Sequence, residues 1–559
     1  MTPFGVRQRP RLAQLSLFDI RLLLRTNGSR FEADRESLRT LIHISKGEEA
    51  AAIGTGTLLL ADPAVAYLGG STPLSEAELL SDVPRLQAPP GPRPEPGIVH
   101  LGLGAFFRAH GALYVEEAIE ASGGAWGIIG VSLVRPDQRD RLEPQGFAYT
   151  AVELGADRET CRVVGVVRDV FVAPEDPAAV VRHLAAPSIR IVTLTVTEKG
   201  YCHDPASGRL DPSHPDIQHD LADPLTPRSA PGFLVAGLAR RRAQGLAPFT
   251  VLCCDNLPDN GRLVRRLVLE LAGWQDAGLA DWIATECRFP GTMVDRIVPA
   301  TRPEDIERLA ARRGVVDMSP VLHEPFRQWV VEDDFVGGQR PDLAAAGVEL
   351  VADVAPYEHM KLRCLNGTHS ALAYLGYLAG HETIADAVAD PVFARFIRHL
   401  WAVEIVPGLQ TSPGSDLGAY TEALFERYRN PAIRHRTWQI AMDGSQKLPQ
   451  RILAAIGENL QSGREVAGLT LVVAAWLRYV GGVDEQGRAI DVQDPLAARL
   501  QELSDRAKGA ADKVAALLGV EAVFAPALAQ DGRFRAGLVA AYARLEQVGA
   551  RAAAAEIGR

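Results

Sequence analysis

From Gly97 to Cys254 short, apolar, β-branched runs alternate with helical stretches, and that alternation leaves few folds open. GIVHLGLGAF (97–106) reads as a buried strand entering a glycine turn, HGALYVEEAIEAS (110–122) as a helix, and WGIIGVSLV (126–134) as a second strand. IRIVTLTV (189–196) and PFTVLCC (248–254) are further strands, with a helical stretch, PGFLVAGLARRRAQG (231–245), between them. Strands alternating with helices predict an α/β fold with a parallel, doubly wound sheet. After about residue 355 the strand signals fade. Ala/Leu-rich amphipathic stretches at 371–389, 417–428, 449–461 and 495–518 predict a mostly α-helical C-terminal domain.

A chain of 559 residues exceeds what one core supports. The expected division is an extension over 1–70, a dinucleotide-binding domain over 71–350 and a helical substrate domain over 351–559. The first thirty residues hold six arginines against one acid, Asp19, and a proline-rich linker, QAPPGPRPEPG (87–97), precedes the first strand. The extension is expected to stand outside the working enzyme, as a poorly ordered segment or an over-long start. The competing expectation is a basic arm that recruits an acidic partner.

A net charge of −10 argues against a nucleic-acid partner. No run of about 18 apolar residues predicts a membrane span. The six cysteines form no CxxC pair and no Cys/His cluster with zinc-ligand spacing, so no metal is expected, and reduced thiols fit a cytoplasmic protein.

The turn after the first strand contains Gly102, Gly104, Phe106, Phe107, Arg108 and His110. Two glycines two apart, between a strand and a helix, let the backbone approach a pyrophosphate. Phe107 occupies the place of the third glycine in the full fingerprint, so the motif alone is weak. Arg108 and His110 add to the anion-site reading; otherwise they are a solvated helix start. The second strand ends in SLVRPDQRD (132–140), where Asp137 would hold the adenosine ribose hydroxyls of NAD and Arg135 would favour the 2′-phosphate of NADP. NAD is preferred through Asp137, with NADP left open.

A second constellation lies in YEHMKLRCLNGTHSALAYLGY (357–377). On an α-helix Glu358, Lys361, Asn366 and His369 stay within an arc of about 140°. Polar groups on one side of an otherwise apolar segment are costly unless paired or functional. A hydrogen-bonded buried network and a catalytic site both satisfy that rule.

Several long segments decide between them. GIVHLGLGAFFRAH (97–110), TLTVTEKGY (193–201), CDN (254–256), FPGTMVDRIVP (289–299), EPFRQWVVEDDF (324–335) and KLRCLNGTHSALAYLGY (361–377) resemble the mannitol dehydrogenase family of polyol-specific long-chain dehydrogenases. RHRTWQIAMDGSQKLPQR (434–451) and GVDEQGRAIDVQDP (482–495) are similar to the fructuronate reductase branch. The matches span about 70–559. Phe107 departs from the histidine usual at its position, and residues 1–70 have no counterpart. The resemblance implies a Rossmann-type domain, a helical domain, a cleft between them and metal-independent hydride transfer to NAD(P). Interconversion of D-mannonate and D-fructuronate is expected first. D-mannitol and D-fructose, or another polyol such as arabinitol, come next. A catalytically silent Rossmann binding protein is the alternative of a different class. The expected partner is a small-molecule polyol or sugar acid, and the expected state a monomer or small homo-oligomer.

Without a metal to acidify the alcohol, a side chain must move the hydroxyl proton. Lys361 is the expected acid/base, since a desolvated lysine titrates nearer neutrality, and the resemblance places it in the family's K-x4-N-x2-H pattern. Asn256 and Asn366 are neutral donors suited to the reacting oxygen. The resemblance also gives His369 a substrate hydroxyl. Glu358 either relays the proton to solvent or forms an (i, i+3) ion pair with Lys361. Asp295, beside Arg296, either touches substrate or forms a structural ion pair. Arg436 and Lys447, with Arg434, are the candidate cations for a polyol or a carboxylate.

Overall fold

In this computed structural model residues 31–33, 56–58, 83–204, 207–410 and 416–557 are described. Most of the 1–70 extension therefore lies outside the described residues. The chain divides into two units, 1–85 with 302–316, and 86–301 with 317–559. In the first, strands Phe31–Ala33 and Gly56–Leu58 pair antiparallel. Helix Pro303–Arg313 is followed by Val316, whose amide donates to Pro84.

The second unit carries the predicted sheet. Five parallel strands, β1 (Pro96–Leu101), β2 (Gly127–Ser132), β3 (Val167–Val172), β4 (Ile191–Leu194) and β5 (Thr250–Cys253), lie in the order β5-β4-β1-β2-β3. The chain reverses direction across the sheet between β1 and β4, which opens a crevice at their carboxyl ends. Strand alternation splits the core: Ile98, Ile128 and Ile191 face one side, and Val99, Ile129 and Val192 the other. Helix Gly111–Ser122 covers the first face; helices Pro177–Leu184, Ala230–Ala243 and Asn260–Gln275 cover the second.

The sequence reading omits β3 and two three-stranded sheets. One joins Val321–His323, Tyr149–Leu154 and Glu159–Val164; the other joins Thr292–Asp295, Gln328–Glu332 and Glu349–Val351. These strands carry exposed or charged residues such as Arg168, Asp169 and Arg162, which mask a period-two pattern.

No strand follows Val351 among the described residues. Helix Ala467–Val480 is buried almost all round and forms the axis of the helical region, with Thr368–Leu378 and Gly532–Ile557 against it. The expected stretch 371–389 is two helices, broken where Gly380 takes φ +90°, and 495–518 breaks before Gly509 at φ +76°. None of the described helices is long and apolar enough to cross a membrane.

Candidate active site

The helix that carries the polar constellation is not a continuous α-helix. Ala355–Met360 is α-helical, Lys361–Gly367 is π-helical, and Thr368–Leu378 is α-helical again. In a π-turn the hydrogen bond spans five residues, and Lys361 and Asn366 are five apart. On an α-helix these two mark the extremes of the 140° arc; the π-turn draws them together. A second π-segment, Pro449–Leu453, packs on the first. Gly367 allows that approach, because a Cβ there would sit 3.0 Å from the Arg451 carbonyl.

Lys361 is buried, and its Nζ donates to Asn256 Oδ1 at 2.7 Å and to the Val294 carbonyl at 2.6 Å. Asn256 stands just beyond the carboxyl end of β5. The adjacent Asp255 fixes that corner by accepting from the Val196 amide at 2.8 Å and the Tyr201 hydroxyl at 2.7 Å. Burial lowers the Lys361 pKa; Asp295 opposes that effect, and Arg427 and Arg451 add to it.

Lys361 lies where two cavities meet. One, of about 600 Å³, runs from Gly104 and Phe106 past Asn366 to His369 and His435. The other, of about 1020 Å³, holds Glu358, Glu198 and Asp259. Asn256, Val294, Asn366, Lys447 and Arg451 line both. Burial pushes the Glu358 carboxyl up to about 7, and its Oε1 is buried without a hydrogen-bond partner. His369 is kept neutral, chiefly by burial and then by His435, whose ring crosses it at 4.9 Å.

On the cofactor side, Gly102 sits at φ +89°, and a Cβ there would meet the Thr195 carbonyl at 2.2 Å. Gly104 precedes helix Ala105–Ala109, and a Cβ on it would find only the Gly102 carbonyl, at 3.7 Å. Gly102 therefore serves close packing against the Thr195 carbonyl, and Gly104 leaves the turn open for close approach of a ligand. Phe107 is turned inward, stacked on His100 at 3.4 Å. Asp137 is half-exposed at the start of helix Asp137–Leu142, 3.6 Å from Arg135.

Two sequence expectations, for Arg108 and Arg436, are revised. Arg108 is buried; its guanidinium donates to the Ser319 carbonyl at 2.5 Å and to Gln138 at 3.3 Å, which is a structural use of the side chain. Asp295 forms the ion pair, accepting two bonds from Arg427 at 2.8 and 3.0 Å, and it also lines the cavity of about 600 Å³, so the pair and a substrate contact are compatible. Arg427 also binds Glu324 at 2.7 and 3.0 Å, so the triad ties helix Leu417–Arg429 to the sheet side of the cleft. Arg436, like Arg434, is exposed beside Glu382 and lines neither cavity. Lys447 does line them, with Nζ on the Met442 carbonyl at 2.6 Å and Asp443 at 3.6 Å. Arg427, Glu324, His435, Gln439 and Arg451 were not singled out from the sequence. Arg427 reads there as one charge on an amphipathic helix.

Among the described residues one three-ligand group, Cys202, His214 and Asp216, holds its donor atoms within 4.8 Å of one another. None of the three lines the cavities around Lys361.

Comparison with known proteins bears on this geometry. Residues 96–345 match a family model described as the mannitol dehydrogenase Rossmann domain, and 353–546 one described as the mannitol dehydrogenase C-terminal domain. D-mannonate oxidoreductase of Escherichia coli K12 is 48% identical over 463 residues, covering 82% of this chain and 95% of that protein. A mannitol 2-dehydrogenase of Phaeosphaeria nodorum is 42% identical over 466 residues, covering 82% and 81%. The structure of Pseudomonas fluorescens mannitol 2-dehydrogenase in ternary complex with NAD and D-mannitol superposes with a TM-score of 0.74 at 39% identity, covering 85% of this chain and 98% of that one.

Proposed function

The chain belongs to the mannitol dehydrogenase family, and from that premise we propose that it is an NAD-dependent oxidoreductase interconverting D-mannonate and D-fructuronate. One observation carries the chemistry: a buried amine, held between Asn256 and the Val294 carbonyl, faces a cavity that reaches the glycine turn. The similarity to D-mannonate oxidoreductase favours the sugar acid. The mannitol 2-dehydrogenase relative supports D-mannitol and D-fructose as the second reading.

The open turn at Gly102–Gly104, with Phe106 beside it and Asp137 at the end of β2, suits a dinucleotide. When bound, NAD supplies or accepts the hydride. The rest falls to this chain's side chains. In reduction, protonated Lys361 gives its proton to the carbonyl oxygen; in oxidation, the neutral amine takes it from the hydroxyl. Asn256 presents its carbonyl oxygen to Lys361, leaving its amide N–H groups for the reacting oxygen beside Asn366. Neutral His369 orients a substrate hydroxyl. Glu358, in the neighbouring cavity and titrating near 7, passes the proton between Lys361 and solvent.

The test is NADH consumption by the full chain with D-fructuronate and with D-fructose. Turnover of D-fructuronate, undiminished by EDTA, is the expected result. Turnover of neither ketone contradicts the reading.

A further inference from the structure

We propose that Arg451 is the anion-reading residue of the active site: it binds the substrate carboxylate and so selects a sugar acid over the matching neutral ketose. The proposal rests on the functional reading above and deepens it. It comes from the charge pattern of the two cavities.

The other cations that line them are matched. Arg262 lies 3.2 Å from Asp259, and Arg363 binds Glu458 through two bonds of 2.6 and 2.7 Å. Arg296 has Glu153 at 3.9 Å, and Lys447 has Asp443 at 3.6 Å. Lys361, the proton carrier, is close enough to Asp295 to be influenced by it. Arg451 has no carboxylate partner among the described residues. Its one side-chain hydrogen bond there runs from Nη1 to the Ser370 hydroxyl at 3.2 Å. The acidic groups that bear on it are only the phenols of Tyr374 and Tyr428, against a larger effect of burial.

A guanidinium cannot shed its charge at physiological pH. Placed half-buried without a counter-ion, it carries an uncompensated desolvation cost that an arriving anion offsets. Its remaining donors form a fork that suits a carboxylate bidentately. Its backbone is held by the contact between the two π-segments, and Ser370 holds one edge of the guanidinium. Arg451 lines both cavities with Lys361, within reach of the same small molecule.

D-fructuronate and D-fructose make a matched pair. They share a ketone and differ at the far end of the chain, where one has a carboxylate and the other a hydroxymethyl group. The experiment measures kcat/KM for both ketones, and the dissociation constant of NADH, in wild type, Arg451→Met and Arg451→Lys. Arg451 also acts on Lys361, so a loss common to both ketones cancels in the ratio of the two kcat/KM values. That ratio should fall by at least ~10²-fold in Arg451→Met, and by less in Arg451→Lys, which keeps the charge but loses the fork. Binding of NADH should be retained in both variants, which also verifies folding. An unchanged ratio overturns the proposal. So does a wild type that reduces D-fructose and ignores D-fructuronate, while leaving the oxidoreductase reading intact. Weakened NADH binding with equal losses on both ketones would make Arg451 a cofactor residue and overturn the proposal too. Turnover of neither ketone by wild type removes the functional reading, and this proposal with it.

Discussion

Lys361 Nζ lies 2.7 Å from Asn256 Oδ1, although 105 residues separate them in the chain. One comes from the π-turn of the helical region, the other from the corner after β5. The bond joins the sheet side of the site to the helices, and Asn256 lines both cavities beside Lys361. Replacing Asn256 by Ala should therefore lower turnover, since removing one pre-aimed donor typically costs ~10²-fold or more. Steady-state kcat of Asn256→Ala with NADH binding intact checks this; an unchanged kcat would remove Asn256 from the chemistry.

The two directions of reaction should respond oppositely to pH. Burial lowers the Lys361 pKa, so the amine loses its proton below the ordinary lysine range. Oxidation needs the neutral amine and should rise with pH through that value. Reduction needs the ammonium and should fall over the same interval. Profiles of kcat/KM in both directions test this. A common slope in both would contradict it.

Glu358→Gln should slow turnover in both directions by less than the ~10²-fold expected of the acid/base itself. The carboxyl, pushed up to about 7 by burial, is suited to exchange protons with Lys361 and solvent. If the two residues formed only an ion pair, the variant would change stability and leave the solvent isotope effect on kcat unmoved. A changed isotope effect marks the relay.

The buried triad sets up a stability prediction. Removing one partner of a buried ion pair typically costs about 3–5 kcal/mol, because the other charge is stranded. Arg427→Met leaves Asp295 and Glu324 facing each other in the interior. In the wild type burial raises the Asp295 pKa, but the charge and hydrogen bonds of Arg427, with Lys361 and His110, together outweigh it and hold the carboxyl below its ordinary value, while burial pushes Glu324 above its own. The Asp295 contribution is present above the unfolded carboxylate pKa and lost as pH falls through the lower folded one. In Arg427→Met both carboxyls titrate upward, so the variant binds more protons folded than unfolded and gains stability as pH falls. Its Tm deficit should be larger at pH 7 than at pH 5, and a deficit independent of pH would contradict the account.

The sequence disclosed the parallel sheet because β1, β2, β4 and β5 are short apolar runs, buried apart from Pro96. It hid β3, Glu159–Val164 and Glu349–Val351, whose more exposed positions interrupt the apolar pattern, and Val321–His323, which is buried but only three residues long. Glu358, Lys361, Asn366 and His369 were visible through local spacing, and the structure brings all four to the joined cavities. The π-turn was not visible, because nothing in KLRCLNG distinguishes a five-residue from a four-residue hydrogen bond. Arg427, Glu324 and Arg451 act across long separations, and their meaning depends on which charges they meet or fail to meet. Arg436 misled because it shares the 434–451 segment with Lys447, which does line the cavities, whereas its own side chain lies beside Glu382.

The cofactor preference has its own check. Asp137→Ala should weaken NADH more than NADPH, since an acid at the end of the second strand holds the ribose hydroxyls and repels a 2′-phosphate. Dissociation constants that both stay unchanged would show that the ribose is held elsewhere.

The most direct test is Lys361→Ala, assayed for NADH oxidation with D-fructuronate and, on the same preparation, for NADH binding by fluorescence. The amine is the group placed to move the proton, so turnover should fall at least ~10²-fold while NADH still binds. Near wild-type turnover in that variant would contradict the role of Lys361 and the mechanism built on it.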